Sequence, residues 1–233
     1  MAKDVIIALD FPGKEETLAF LDLFEEEKPF VKIGMELFYA EGPQIVKDIK
    51  ARGHKVFLDL KLHDIPNTVR SAIEVIADLD VDMTNVHASG TKMMMGWALE
   101  GLKAKGKEND TLLIAVTQLT STDQKKMNEE LLIPGKVEDV VVAYSKLAKD
   151  IGLHGVVCSP LEAAAVKKEC GDDFVTVTPG VRFGGMMICD QARVTTPKDA
   201  AKNGADYIVM GRPITGAPDP VAAYRRAVKE FLG

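Results

Sequence analysis

Residues 57–66 read Phe57-Leu-Asp-Leu-Lys-Leu-His-Asp-Ile-Pro66, which sets Asp59, Lys61 and Asp64 among leucines that belong in a core. Strand side chains alternate, so Phe57, Asp59 and Lys61 share one face while Leu58 and Leu60 share the other. The leucines then face covering helices, and the charges gather where the strand ends. Two plainer readings compete. Asp59 and Lys61 could form a structural ion pair, and Asp64 could cap a helix that begins near Ile65 and Pro66.

The same kind of run recurs along the chain. Strands are expected at about Val5–Asp10, Phe30–Ile33, Lys55–Lys61, Asp82–Val86, Leu112–Thr117, Gly155–Ser159, Val175–Thr178 and Tyr207–Met210. Most are nearly continuous in apolar residues, as in parallel strands covered on both sides. Between them lie helical patterns. Val137, Val140, Val141, Tyr144, Leu147, Ala148 and Ile151 follow i, i+3, i+4 spacing and give that helix one buried stripe. Gly53 and Gly152 stand just past helical stretches, where a left-handed stop is cheapest for glycine. Strand–helix units repeated over 233 residues predict an α/β chain folded as one (β/α)8 TIM barrel domain over residues 1–233, since that fold takes about 250 residues. An open doubly wound sheet shares the local pattern and is the alternative. Two connections, Gln118–Lys136 and Gly180–Thr196, exceed the usual few residues and are candidate binding loops.

Composition narrows the partners. Lys plus Arg number 29 against 35 Asp plus Glu, a net charge of −6, with no basic cluster, which argues against nucleic acid. Three cysteines without CxxC spacing favour neither a disulfide framework nor structural zinc, and a cytoplasmic setting is expected. The apolar run before Asp10 is too short for a signal-peptide core, and no stretch is long enough to span a membrane.

In a barrel of this kind the carboxyl ends of the strands converge on one mouth, where active sites are placed. Asp10, Lys32, Asp59, Lys61, Thr120, Arg182, Gly211 and Arg212 all fall at or just after such ends. Thr178-Pro-Gly-Val-Arg182 and Val209-Met-Gly-Arg-Pro213 are Gly/Arg turns after the last two strands. There, backbone N–H groups and guanidinium forks can meet phosphate oxygens. No second histidine or paired carboxylate joins His63 or His87, so neither is read as a metal ligand and no metal site is expected. Met93-Met-Met95 and Trp97 suit helix packing or a subunit contact.

Asp59-x-Lys61-x-x-Asp64 with Ile65-Pro-Asn-Thr68 resembles the signature of the orotidine 5′-monophosphate decarboxylases in their bacterial form. Ala8-Leu-Asp10, Val31-Lys-Ile-Gly34, Val116-Thr-Gln-Leu-Thr-Ser121, Pro179-Gly-Val-Arg182, Asp190-Gln191, Arg193-Val-Thr-Thr-Pro197 and Gly211-Arg212 extend the likeness over essentially the whole chain. The resemblance implies a homodimer of barrels with shared active sites, no cofactor, and conversion of orotidine 5′-monophosphate to uridine 5′-monophosphate, the last step of de novo pyrimidine nucleotide synthesis. It makes Lys61 the proton donor and Asp59 the carboxylate beside the departing CO2. Asp64 from the partner subunit would complete a Lys32–Asp59–Lys61–Asp64 array, and Thr68 would also reach across the interface. Asp10 and Lys32 would hold the ribose, Thr120 the pyrimidine, and Arg182, Gly211 and Arg212 the phosphate. Gln191 would bridge phosphate and base. The segment Phe183-Gly-Gly-Met-Met-Ile-Cys-Asp190 departs from the usual polar loop of the family.

The chemistry fits that array. Loss of CO2 leaves a carbanion in the ring plane with no adjacent π-system, and an oriented ammonium both stabilises that charge and donates the proton. Related barrels use a similar Asp-x-Lys-x-x-Asp element with magnesium on sugar phosphates, which keeps a metal-dependent aldolase or decarboxylase as the nearest rival. A barrel that only binds a phosphate ligand is a more distant one.

Overall fold

The computed structural model describes residues 3–185 and 195–233. Its strands close into one parallel barrel in sequence order. They are β1 (Asp4–Ala8), β2 (Phe30–Gly34), β3 (Val56–Leu62), β4 (Met83–His87), β5 (Leu112–Val116), β6 (Gly155–Val157), β7 (Val175–Pro179) and β8 (Tyr207–Met210). β1 pairs with β8 from Asp4↔Tyr207 to Ile7↔Met210. That closure leaves no sheet edge and excludes the open doubly wound alternative.

Alternation along the strands sorts the core into two layers. Ile6, Ala8, Phe57, Met83, Ile114, Val177 and Val209 pack together inside the barrel. Val5, Ile7, Leu58 and Leu60 instead join the larger layer between barrel and helices. The division of residues 57–60 therefore follows the two-residue period of a strand. The inner layer is a packed apolar plug that forms the floor beneath the mouth.

Prolines stand at the start of helices Pro43–Ala51, Pro66–Ala77, Pro197–Lys202 and Pro220–Leu232, where a missing N–H costs nothing. The helix Val137–Ile151 stops at Gly152, whose φ of 93° is left-handed, as expected for a C-terminal glycine. At the barrel's amino-terminal end, carboxylates fasten neighbouring strands. Asp82 accepts from the Val56 N–H at 2.7 Å and from Lys50 Nζ at 2.8 Å. Asp206 accepts from the Thr176 N–H at 2.8 Å and from Lys167 Nζ at 2.6 Å. These charges lie away from the mouth and serve stability.

Three expectations change in detail. β1 ends at Ala8, so Asp10 stands on the turn beyond the strand rather than closing it. The connection Gln118–Lys136 contains a helix, Gln124–Glu129, capped by Asp123 accepting from the Lys126 N–H. Asp64 does not cap the helix at Pro66. Proline takes the first helical position, which makes Ile65 the N-cap, and the Asp64 carboxylate accepts from the Ile65 N–H at 2.6 Å.

Candidate active site

The site begins with an irregularity in β3. Its pairing with β4 runs in register at Leu58↔Thr84 and resumes at Leu62↔Val86, so residues 59–61 face Asn85 alone. Lys61 absorbs the extra length with a left-handed φ of 52°, a conformation that costs a non-glycine residue about 1–3 kcal/mol. Bulges of this kind re-aim side chains next to active sites. Asp59 faces the mouth by plain alternation, and the bulge sets Lys61 beside it.

Asp59 is the hub. Lys61 Nζ donates to its Oδ1 at 2.7 Å, Asn85 Nδ2 donates to the same oxygen at 2.7 Å, and Lys32 Nζ lies 3.5 Å from Oδ2. Lys32 Nζ also reaches Asp10 Oδ1 at 3.2 Å. The result is an alternating chain, Asp10–Lys32–Asp59–Lys61, whose central carboxylate is only 7% exposed. Burial pushes the Asp59 carboxyl up, but the Lys32 and Lys61 charges and the hydrogen bonds from Lys61 and Asn85 outweigh it. Its pKa is held below the usual carboxylate value. Gly34 makes room for this chain, because a Cβ there would stand 3.1 Å from Lys32 Nζ.

Two adjoining cavities open on these residues. One, of about 210 Å³, is lined by Asp10, Lys32, Gly180, Arg182, Gly211 and Arg212 among others. The second, of about 220 Å³, is lined by Lys32, Phe57, Asp59, Lys61, Gln118 and Thr120 and floored by Val116, Val157 and Val177. Lys32, Pro179 and Val209 belong to both. The first cavity thus pairs two arginines with glycine turns, and the second pairs an ion array with an apolar floor. A wider groove along the helix Pro220–Leu232 touches none of these mouth residues.

The turn after β7 is pinned at its neck. Gly180 has a φ of 84°, open to glycine at little cost. Val181 and Thr195 then form a parallel bridge, and the Arg182 N–H donates to the Thr195 carbonyl at 3.0 Å. Phe183 is buried, with the Arg226 guanidinium 4.2 Å from its ring centre, a stacking contact that fastens the residue next to Arg182. Gln191 and most of the departing segment 183–190 lie outside the described residues.

Of the expected site residues, Asp10, Lys32, Asp59, Lys61, Thr120, Arg182, Gly211 and Arg212 line the paired cavities. Asp64 and Thr68 do not line them; both are exposed to solvent, as is Ile65 between them. Asn85 and Gln118 had no expected role and are part of the site. Asn85 lies on β4 with nothing in its local sequence to mark it. Gln118 could have been found from its place just after β5. His87 is half-buried with its ring 5.4 Å from that of His63. Burial first, then His63 and Lys61, hold it below the usual histidine value. Among the described residues no group of three or more His, Cys, Asp or Glu is placed to hold a metal ion. Among the same residues no helix is long and apolar enough to cross a membrane.

The model of the "Orotidine 5′-phosphate decarboxylase / HUMPS family" matches residues 3–227. A Bacillus cytotoxicus protein named orotidine 5′-phosphate decarboxylase is 55% identical, covering 100% of this chain and 99% of its own length. A Bacillus cereus protein of the same name is 54% identical over the same shares. The crystal structure of orotidine 5′-phosphate decarboxylase from Lactobacillus acidophilus superposes with a TM-score of 0.88 at 40% identity, covering 99% of this chain and 100% of the other. The chain belongs to the orotidine 5′-phosphate decarboxylase family.

Proposed function

We propose that this member of the decarboxylase family uses the Asp10–Lys32–Asp59–Lys61 chain as a cofactor-independent decarboxylation site with Lys61 as the proton donor. The overall reaction converts orotidine 5′-monophosphate to uridine 5′-monophosphate and CO2, in pyrimidine biosynthesis. The observation that carries the site reading is the 2.7 Å Asp59–Lys61 pair in a cavity that adjoins the Arg182–Arg212 cavity.

The substrate divides along the two cavities. Its phosphate lies at Arg182, Gly211 and Arg212, with Gln191 bridging phosphate and base. Its ribose hydroxyls lie between Asp10 and Lys32, and its pyrimidine sits against Thr120 over the apolar floor. That places the C6 carboxylate against Asp59 and Lys61. As the C–C bond breaks, its electron pair stays on C6, CO2 leaves, and the Lys61 ammonium stabilises the carbanion and then gives it a proton. The remote phosphate grip supplies binding energy used for orientation at the reacting carbon.

The working unit in this reading is a cytoplasmic homodimer of single-domain barrels. Asp64 and Thr68, exposed just after β3, enter the partner's pocket, and Asp64 completes the array beside Lys61. Exposed Ile65, Met93 and Trp97 supply apolar surface for such a contact. The test is to treat purified protein with a chelator and follow uridine 5′-monophosphate formation from orotidine 5′-monophosphate. Full turnover supports the reading. Turnover restored only by Mg2+ favours the metal-dependent rival.

A further inference from the structure

We infer that Asn85 is a positioning residue for this reaction, its carboxamide setting the Asp59–Lys61 pair in reacting geometry by bridging the Asp59 carboxylate and the Lys61 backbone N–H. The inference rests on the decarboxylase reading of the site. Asn85 is fully buried on β4, between apolar Met83 and half-buried His87 on the same face. Ile114 is its partner on β5.

The bulge explains why an amide stands there. Between Leu58↔Thr84 and Leu62↔Val86, Asn85 faces both Asp59 and Lys61, and the irregular pairing leaves the Lys61 N–H without a regular ladder partner. Asn85 Oδ1 accepts that N–H at 2.8 Å while Nδ2 donates to Asp59 Oδ1 at 2.7 Å. The partners fix the orientation of the amide, since a carboxylate only accepts and a backbone N–H only donates. An apolar side chain would strand a buried donor and loosen the strained turn at Lys61. A carboxylate would confront Asp59 with a like charge. Among common side chains of this size, the amide alone satisfies both contacts.

Two isosteric variants test the role, with wild type alongside. The charged and titratable groups around Asn85 are Asp59 and Lys61 on β3, Lys32 beyond Asp59, and His87 two residues along β4; β5 presents apolar Ile114. Asn85→Leu is expected to lower kcat by about 10²-fold, as a misplaced reacting pair does, while affinity for uridine 5′-monophosphate stays within about three-fold. Asn85→Asp keeps the acceptor for the Lys61 N–H but loses the donor to Asp59. Its kcat relative to wild type is expected to be low near about pH 7 and to rise toward about pH 5, as the introduced carboxyl gains a proton it can donate. Circular dichroism and thermal unfolding establish that each variant is folded. Should Asn85→Leu fail to fold, the pH profile of Asn85→Asp decides. A kcat within about two-fold of wild type in either folded variant, or a pH-independent ratio for Asn85→Asp, overturns the positioning role. Wild-type protein that fails to turn over orotidine 5′-monophosphate overturns the decarboxylase reading itself, a separate result.

Discussion

Lys61 Nζ lies 2.7 Å from Asp59 Oδ1, although the two residues are separated on β3 by a single leucine that points into the opposite layer. Alternation brings Asp59 to the barrel mouth, and the bulge with its left-handed Lys61 sets the ammonium beside it. The contact joins an ordinary strand pattern to an ion array that can stabilise a carbanion.

The Asp59 carboxyl is held below its ordinary value, so its ionised form stabilises the folded state. That contribution is present above the unfolded-chain pKa of about 3.9 and is lost as pH falls through the lower folded value. Urea unfolding of wild type and Asp59→Asn across this range should show the wild type gaining on the variant as pH rises through about 4. A difference that stays constant, or that moves the other way, would remove Asp59 from the list of charge-stabilised groups.

In the proposed reading Arg212 donates a charge-assisted hydrogen bond to a phosphate oxygen. Arg212→Ala should reduce kcat/KM by roughly 10²-fold or more with an unchanged fold, the scale of losing a hydrogen bond to a charged group. An unchanged kcat/KM would take Arg212 out of the phosphate site.

Sharing of sites between subunits is tested by mixing inactive variants. In a hybrid of Lys61→Ala and Asp64→Asn chains, one pocket is doubly altered and the other is wild type at both positions. Random exchange therefore returns about a quarter of wild-type activity. No recovery after exchange has been verified by mass spectrometry would count against Asp64 acting across the interface.

Gly180 permits the turn that carries Arg182. Gly180→Ala, forced to a φ of 84°, should cost about 1–2 kcal/mol in stability and lower kcat/KM as well. Thermal unfolding and steady-state kinetics read the two effects separately, and unaltered values for both would show that the turn tolerates a side chain.

The barrel was legible because parallel strands buried on both faces carry nearly continuous apolar runs, such as Val5–Leu9 and Leu112–Val116. Asp10, Lys32, Asp59, Lys61, Arg182 and Arg212 were legible from position, since each follows such a run toward the carboxyl end. Asn85 was not. Met83-Thr-Asn-Val-His87 reads as an ordinary strand, and the demand for an amide arises from a bulge in a neighbouring strand 26 residues away. The left-handed Lys61 was hidden for the same reason, because alternation alone already pointed it inward. The sequence leaves Asp64 open as a cap; Pro66 sets the helix start so that Ile65 is the N-cap, and the Asp64 carboxylate accepts from the Ile65 N–H instead.

The role of Lys61 is tested most directly by a single-turnover experiment on Lys61→Ala with orotidine 5′-monophosphate, read by chemical quench, alongside a titration with uridine 5′-monophosphate. The expected result is a loss of turnover of at least about 10⁴-fold with product still bound, because the phosphate and ribose contacts remain. Substantial residual turnover in the folded variant would contradict Lys61 as the proton donor, and with it the decarboxylation mechanism assigned to the array.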